Sequence, residues 1–254
     1  MARILLIDAD VIAFKAAASV ERATNWGDGY WTWHADENEA KNAFDTMLDE
    51  WMAKLETSEY KLCLTDSEGN FRKTILPTYK GNRANVKRPL VLKPIREWLI
   101  NERKAYLRPH LEGDDVMGIL ATWSGLKGEK IVVSIDKDMK SIPGLYCRDL
   151  ESEVVVVSEN DADYWHYTQT LTGDTTDGYS GCPKVGPKRA EEILMGVAPP
   201  WGTHDEAWRA IVKAYEKAGL DEHEALVQAR VARILRASDY DFKNKRPILW
   251  EPQR

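Results

Sequence analysis

The chain has 254 residues, 43% hydrophobic and 30% charged, with a formal net charge of −6 at pH 7. That length suits one large domain, or one domain with a small appendage. No apolar run approaches a membrane span, and the N-terminal apolar stretch is too short for a signal peptide. Three scattered cysteines, Cys63, Cys147 and Cys182, have no paired spacing, which speaks against structural zinc and for a reducing, cytoplasmic setting without membrane contact.

In chain order, Arg3 to Ile7 reads as a buried strand that delivers Asp8, and a helix begins near Ala9. Glu21 to His34 reads as a loop or small hairpin whose Trp26, Trp31 and Trp33 are expected to plug the edge of a core. Asp36 and Glu39 form a capping-box pattern before a helix with Ala40, Phe44, Leu48, Trp51 and Leu55 on its apolar face. Lys61 to Thr65 is a strand followed at once by Asp66, and Phe71 to Leu76 is expected to be another. The stretch from Pro77 to Pro89 is basic and carries no acid. It is either a solvated loop or a phosphate clamp, with Lys80 as point charge, Arg83 as bidentate fork, and Lys87 and Arg88 beyond.

Leu92 to Arg103 reads as helix and Ala105 to Arg108 as a short strand. Leu111-Glu112-Gly113-Asp114-Asp115 then opens a helix over Val116 to Trp123. Acids at a helix start suit its dipole, but that accounts for one or two of these three. Like charges a few ångströms apart repel by about 4 kcal/mol per pair at an effective dielectric of 20, so the cluster calls for cations or raised pKa values. Glu129 to Ile135 is a strand ending in Asp136 and Asp138, two acids expected on one side. Leu145 to Arg148 and Val154 to Val157 are further strands, and Ser158 caps the next helix. Asp174 and Asp177 stand at i, i+3, as on one face of a helical turn. Gly181 to Gly186 forms a glycine-rich hairpin, and Pro187 opens a helix there. Its backbone N–H groups, with Lys184, Lys188 and Arg189, make an anion site. Glu206 to Ala218 and Glu222 to Arg236 read as helices.

The acids are Asp8, Asp66, Glu112, Asp114, Asp115, Asp136, Asp138, Asp174 and Asp177, and four of their groups fall just after strands or at helix starts, positions that converge on one edge of a parallel sheet. No histidine or cysteine joins them. Oxygen ligands select Mg²⁺ or Mn²⁺, and so many carboxylates fit a two-metal phosphodiester site. With those nine set aside, 32 of the 41 acids face 35 Lys and Arg, so the remaining surface is mildly basic despite the negative total. A rival reading is a haloacid-dehalogenase-type phosphatase. There Asp8 would be nucleophile, Asp10 general acid, Ser134 the second motif and Asp174 with Asp177 the acidic motif. It leaves Glu112, Asp114, Asp66 and the hairpin without a task. A non-cleaving DNA-binding relative is the third possibility, though no ligand is visibly missing.

The ordered motifs Leu6-Ile7-Asp8, Asp66, Tyr79-Lys80-x-x-Arg83, Leu111 to Gly118, Asp136-Lys137-Asp138, Gly173-Asp174-x-x-Asp177 to Gly181, and Gln228 to Arg236 resemble the 5′ nuclease (flap endonuclease-like) superfamily. The likeness is greatest to the 5′→3′ exonucleases of podovirus-type phages. The resemblance implies a PIN-like α/β fold: a mostly parallel central sheet flanked by helices, with a helix–three-turn–helix element and a helical C-terminal region. Residues 1–163 would be the nuclease core and 164–254 the duplex-gripping part of one unit. It further implies one metal near Asp8, Asp66, Glu112 and Asp114, a second near Asp136, Asp138, Asp174 and Asp177, and Asp114 or Asp115 between them. Lys80 and Arg83 would hold the scissile phosphate, and K⁺ could sit on the Gly181–Gly186 hairpin. The expected activity is metal-dependent 5′→3′ exonuclease action on double-stranded DNA with a 5′ end or flap, extending to RNA–DNA hybrids. The expected setting is phage replication or degradation of host DNA in the host cytoplasm.

Overall fold

In this computed structural model residues 2–83 and 87–253 are described, with Arg83 described by its backbone alone. The central strand β1 (Arg3–Asp8) runs into α1 (Ala9–Ser19) without a linking residue, and Asp8 caps that helix by accepting the Val11 N–H at 3.2 Å. An antiparallel hairpin follows, β2 (Arg22–Asn25) and β3 (Trp31–His34), and then α2 (Glu37–Lys54), capped by Asp36 as expected, although Glu39 pairs with Arg22 and does not complete the capping box. Next come β4 (Tyr60–Leu64), a single turn α3 (Arg72–Ile75), α4 (Leu92–Asn101), β5 (Tyr106–Leu107), α5 (Gly113–Thr122) and β6 (Glu129–Val133). A 3-10 turn (Lys137–Ser141) precedes β7 (Gly144–Cys147) and β8 (Val155–Val157). The chain closes with α6 (Glu159–Thr172), α7 (Pro187–Leu194), α8 (His204–Lys217), α9 (Glu222–Ala232) and a small hairpin, β9 (Tyr240–Asp241) with β10 (Arg246–Pro247).

Six strands form one sheet in the order β5-β4-β1-β6-β7-β8, parallel except for β8 at the edge. β1 is apolar throughout because parallel neighbours flank it and both its faces are covered. Leu5 and Ile7 pack with α1, α2 and α4, while Ile4 and Leu6 pack with α5 and the segment around Leu235. A third apolar cluster is built by α6 to α9 around Tyr167, Trp208, Ile211 and Tyr215. Gly118 lets α5 meet that returning segment. A Cβ there would stand 2.4 Å from the Leu235 carbonyl oxygen. The PIN-like α/β fold expected from the sequence is therefore the fold observed. No helix among the described residues is long and apolar enough to cross a membrane.

Three local readings are corrected. Residues 71–76 are a helical turn rather than a strand: the Asn70 side chain accepts the Arg72 N–H at 2.8 Å and turns the chain, so that Arg72 enters the interior. α9 ends at Ala232 rather than Arg236, because the Leu235 N–H is drawn to Asp115 and Arg233 to Asp239. The β2–β3 hairpin exists, but its tryptophans do not plug a core; both strands are exposed along their whole length.

Candidate active site

The end of β1 places Asp8 at the carboxyl edge of the sheet, where open α/β sheets place ligand groups. Its Oδ2 accepts the Ser134 hydroxyl at 2.7 Å. Ser134 Oγ in turn accepts the Asp136 N–H at 3.1 Å, so one serine just past β6 orients the first acid and the loop carrying the next pair. Asp136 caps the 3-10 turn through the Asp138 N–H (2.8 Å), and the two acids sit on a turn rather than along a strand. Asp174 and Asp177 also lie in a turn rather than a helix. Asp174 Oδ1 accepts the N–H of Thr176 and Asp177, and paired backbone bonds between Asp174 and Tyr179 close the turn. Gly173 and Gly181 make that closure possible. Both have left-handed backbones (φ 66° and 63°), and a Cβ on Gly181 would stand 2.3 Å from the Gly173 nitrogen. The Gln228 side chain locks the base of the turn by accepting the Gly181 N–H at 2.9 Å.

Glu112 caps α5, and Lys80 Nζ reaches its Oε1 at 2.5 Å and Asp177 Oδ2 at 3.3 Å. The Tyr79 hydroxyl lies 2.8 Å from Glu112 Oε2 and 3.0 Å from Asp177 Oδ2, linking the two acid groups through one proton. Burial would raise the Glu112 carboxyl, but Arg72 and Lys80 lower it to about 2. Burial works against the Lys80 ammonium too, and Glu112, Asp177 and Asp114 keep its pKa above the usual value. Asp8 and Asp114 are the reverse case. Burial raises both, Asp114 well above the ordinary value, and Asp8's charge adds to the rise in Asp114. Burial, then Asp136, raises Asp138 to about 6.

The structure thus brings Asp8, Glu112, Asp114, Asp136, Asp138, Asp174 and Asp177 into one electrostatically coupled cleft with Lys80 among them. Among the described residues no three of them already converge as ligands on one point. Two of the nine acids do not take part in these couplings. Asp66 accepts the N–H groups of Glu68 (3.0 Å) and His110 (2.7 Å), one on each carboxylate oxygen. Asp115 is fully buried beneath the cleft, held bidentately by Arg72 at 2.7 and 2.8 Å, and also accepts the Glu112 and Leu235 N–H groups. Its acceptors are taken, which corrects the expectation that it bridges two ions. Asp10 is likewise engaged, with the Thr65 N–H at 2.7 Å and in an ion pair with Arg96. It is not free to act as the phosphatase's general acid, and Ser134 serves Asp8 rather than a substrate.

Sequence reasoning gave no role to Arg72, to Tyr79 as a bridge, or to Gln228 beyond its place in the 228–236 motif. Asn70, an amide two residues before Arg72, was the available signal for the turn; nothing local marks Gln228. The Arg83 side chain lies outside the described residues. Lys184, Gly186, Lys188 and Arg189 are exposed around the start of α7, as the anion-site reading requires, but Gly181 is buried and its N–H is taken by Gln228, which corrects its place in that site. Two residues extend it: Lys213 and Lys217 of α8 line, with Lys184 and Arg189, a groove of about 520 Å³. Lys87 and Arg88 are exposed by the β2–β3 hairpin, where the Lys87 ammonium sits over Trp33, 3.2 Å from the ring centroid.

Residues 3–164 match the family model of the 5′-3′ exonuclease N-terminal resolvase-like domain. The chain is 30% identical to the exonuclease of Escherichia phage T7, over 98% of this chain and 93% of the relative. It is also 30% identical to the exodeoxyribonuclease of Enterobacteria phage T3, with the same coverage. A flap endonuclease Xni of Vibrio campbellii is 32% identical over 70% of this chain and 71% of its own. Among solved structures, a flap endonuclease of bacteriophage T5, in a pseudo-enzyme–product complex with DNA and metal ions, superposes with a TM-score of 0.62. It is 14% identical and covers 91% of this chain and 93% of its own.

Proposed function

This chain belongs to the 5′-3′ exonuclease family and is a 5′→3′ exonuclease or flap nuclease, and from that membership we propose that its acid cleft uses divalent cations to cut double-stranded DNA from a 5′ end or flap. The donor set fits hard cations: every candidate is a carboxylate, and Asp138 Oδ1 is buried with no hydrogen-bond partner. That orphaned oxygen, among the charges of Asp136, Asp174 and Asp177, is the observation that carries the proposal, and the raised Asp8 and Asp114 support it; cations in the cleft would offset the cost of ionising these carboxyls. Asp8, Glu112 and Asp114 would hold one ion, and Asp136, Asp138, Asp174 and Asp177 the other, as Mg²⁺ or Mn²⁺. Bound there, such ions supply an activated water and charge compensation at the leaving oxygen.

The protein's own part is positioning. Ser134 and the Val11 N–H orient Asp8, Tyr79 fixes the spacing of Glu112 and Asp177, and Lys80 presents a cation for the scissile phosphate, with Arg83 as the second. Duplex phosphates would lie along the Lys184–Lys217 groove and the N-terminus of α7, with Lys188 at its start, and Lys87 and Arg88 would meet backbone further out, so binding falls with salt. The proposal includes residues 1–163 as nuclease core and 164–254 as duplex grip, K⁺ on the carbonyls of the 181–186 turn, RNA–DNA hybrids as further substrates, and action in the cytoplasm. The T5 structure with DNA and metal ions and the flap endonuclease relatives support the metal ions and the DNA substrate.

The test uses duplexes labelled at the 5′ or the 3′ end, with Mg²⁺ or EDTA. Mg²⁺-dependent release of short 5′-labelled products, with stepwise shortening of the 3′-labelled strand, is expected. Asp136→Asn and Asp174→Asn should each abolish cleavage and leave duplex binding intact. Full activity in either variant, or equal activity in EDTA, would refute the metal assignment.

A further inference from the structure

The β2–β3 hairpin stands outside every apolar cluster, yet carries four aromatic rings that are half or more exposed: Trp26 (70%), Tyr30 (74%), Trp31 (56%) and Trp33 (50%). Between Arg22 and His34 there is no leucine, isoleucine, valine, methionine or phenylalanine. The surface therefore offers flat rings set among threonine, asparagine and glycine, not the aliphatic packing of a typical protein-binding patch. Its shape is fixed locally. The Trp26 indole N–H donates to Thr32 Oγ1 at 2.8 Å, the Trp26 N–H to the Tyr30 carbonyl at 2.9 Å, and the Gly27 N–H to Asn25 Oδ1 at 2.9 Å.

Trp31 and Trp33 are two residues apart on β3, so they share one face, with ring attachments about 7 Å apart. Asn25 and Ala23 lie opposite them, and neither is bulky enough to cover the rings. A cation borders the patch: Lys87 lies over Trp33, and the next residue in the chain, Arg88, is exposed. Glu21 ties the hairpin base to the basic segment that begins at Lys80, accepting the Leu90 N–H at 3.1 Å and lying 3.9 Å from Lys87 Nζ. Through α1, eleven residues and about 16 Å long, the hairpin is anchored to Asp8 itself.

We propose that Trp31 and Trp33 form a stacking platform for the unpaired bases of a single-stranded 5′ segment of the substrate, with Lys87 and Arg88 countering its phosphates. Rings at period two on a strand, bordered by cations, are how sequence-tolerant single-strand sites are built. This inference rests on the nuclease reading above.

The experiment measures fluorescence anisotropy in EDTA with a duplex carrying a 5′ oligothymidine tail and with the same duplex blunt, together with Mg²⁺-dependent cleavage of the blunt duplex. The wild-type protein is expected to bind the tailed duplex more tightly. Trp31→Ala/Trp33→Ala should weaken tailed binding by about tenfold or more and leave blunt binding and cleavage unchanged. Trp31→Phe/Trp33→Phe, which keeps rings, should retain most of the tail effect. The inference is overturned if the tail adds no affinity, if the alanine pair leaves tailed binding intact, or if tailed and blunt binding fall together. It is equally overturned if the alanine pair changes only sedimentation, which would make the hairpin a contact between copies. Absence of Mg²⁺-dependent cleavage of the blunt duplex by wild-type protein would instead sink the nuclease reading itself.

Discussion

Replacing Arg72 with methionine tests the part of the cleft that lies deepest. Arg72 is 2% exposed. It holds Asp115 at 2.7 and 2.8 Å, lies 3.2 Å from Glu112, and donates to the carbonyls of Val231 (2.9 Å) and Arg233 (2.6 Å). Methionine fills part of the volume but leaves the fully buried Asp115 with only two backbone N–H donors, and it strands both carbonyls. Breaking a buried pair by removing one partner costs about 3–5 kcal/mol, and each stranded carbonyl adds about 1–3 kcal/mol unless water reaches it. The expected loss is therefore at least about 4 kcal/mol, a large share of the roughly 5–15 kcal/mol that holds a domain together. Urea unfolding followed by circular dichroism and tryptophan fluorescence would measure it for Arg72→Met, Asp115→Asn and the double variant. The cycle should show about 2 kcal/mol or more of coupling, the double variant being less destabilised than the sum of the singles. A single variant costing under about 1 kcal/mol, or strict additivity, would refute the claim that this pair is the floor of the cleft.

Lys80→Ala should lower single-turnover cleavage by about 100-fold while changing DNA affinity by about threefold or less; equal losses in both would make Lys80 a binding residue only. Gly173→Ala places a Cβ 2.4 Å from the Ser180 carbonyl carbon at φ 66°, and should cost about 2 kcal/mol or more; an unchanged melting temperature would show that the turn yields freely. His166 gives a pH test. Burial, then the charge of Arg233, lowers it to about 3 from 6.5, and its Nε2 lies 2.8 Å from the Ala229 carbonyl oxygen, to which it donates. Between pH 6.5 and 3 the unfolded chain binds the extra proton, so stability falls as pH falls, by about 1.4 kcal/mol per unit at most. His166→Gln should flatten the stability curve across that window, and an unchanged slope would contradict a neutral buried imidazole.

Much of this was legible in the sequence because the informative neighbours are local. The apolar run before Asp8, the capping pattern at Asp36 and Pro187 at the start of α7 each declare an element within a few residues. The acids announce themselves by crowding: Glu112, Asp114 and Asp115 cannot all be caps. What could not be read was which acid does what. Asp115 looks like its neighbours until Arg72 arrives from 43 residues away, and Ser134 meets Asp8 across 126 residues. Arg72 itself lay hidden in Phe71 to Leu76, a short stretch with apolar ends that reads as a strand. The tryptophans of the hairpin misled for the opposite reason. Large rings usually mark a core, and only the packing shows that no element comes down to cover them.

The clasp between Arg72 and the Val231–Leu235 segment also sets an order of events in time. A chain emerging from the ribosome displays every candidate acid once Asp177 is out, with the parallel sheet already able to form. Arg72 and Asp115 still lack their last backbone partners, which come 161 and 120 residues later, respectively. Contacts across such separations are the slow ones to close. The floor under the catalytic edge is therefore laid at the end of synthesis, and a polypeptide stopped before residue 231 holds the full complement of carboxylates over an unfinished base.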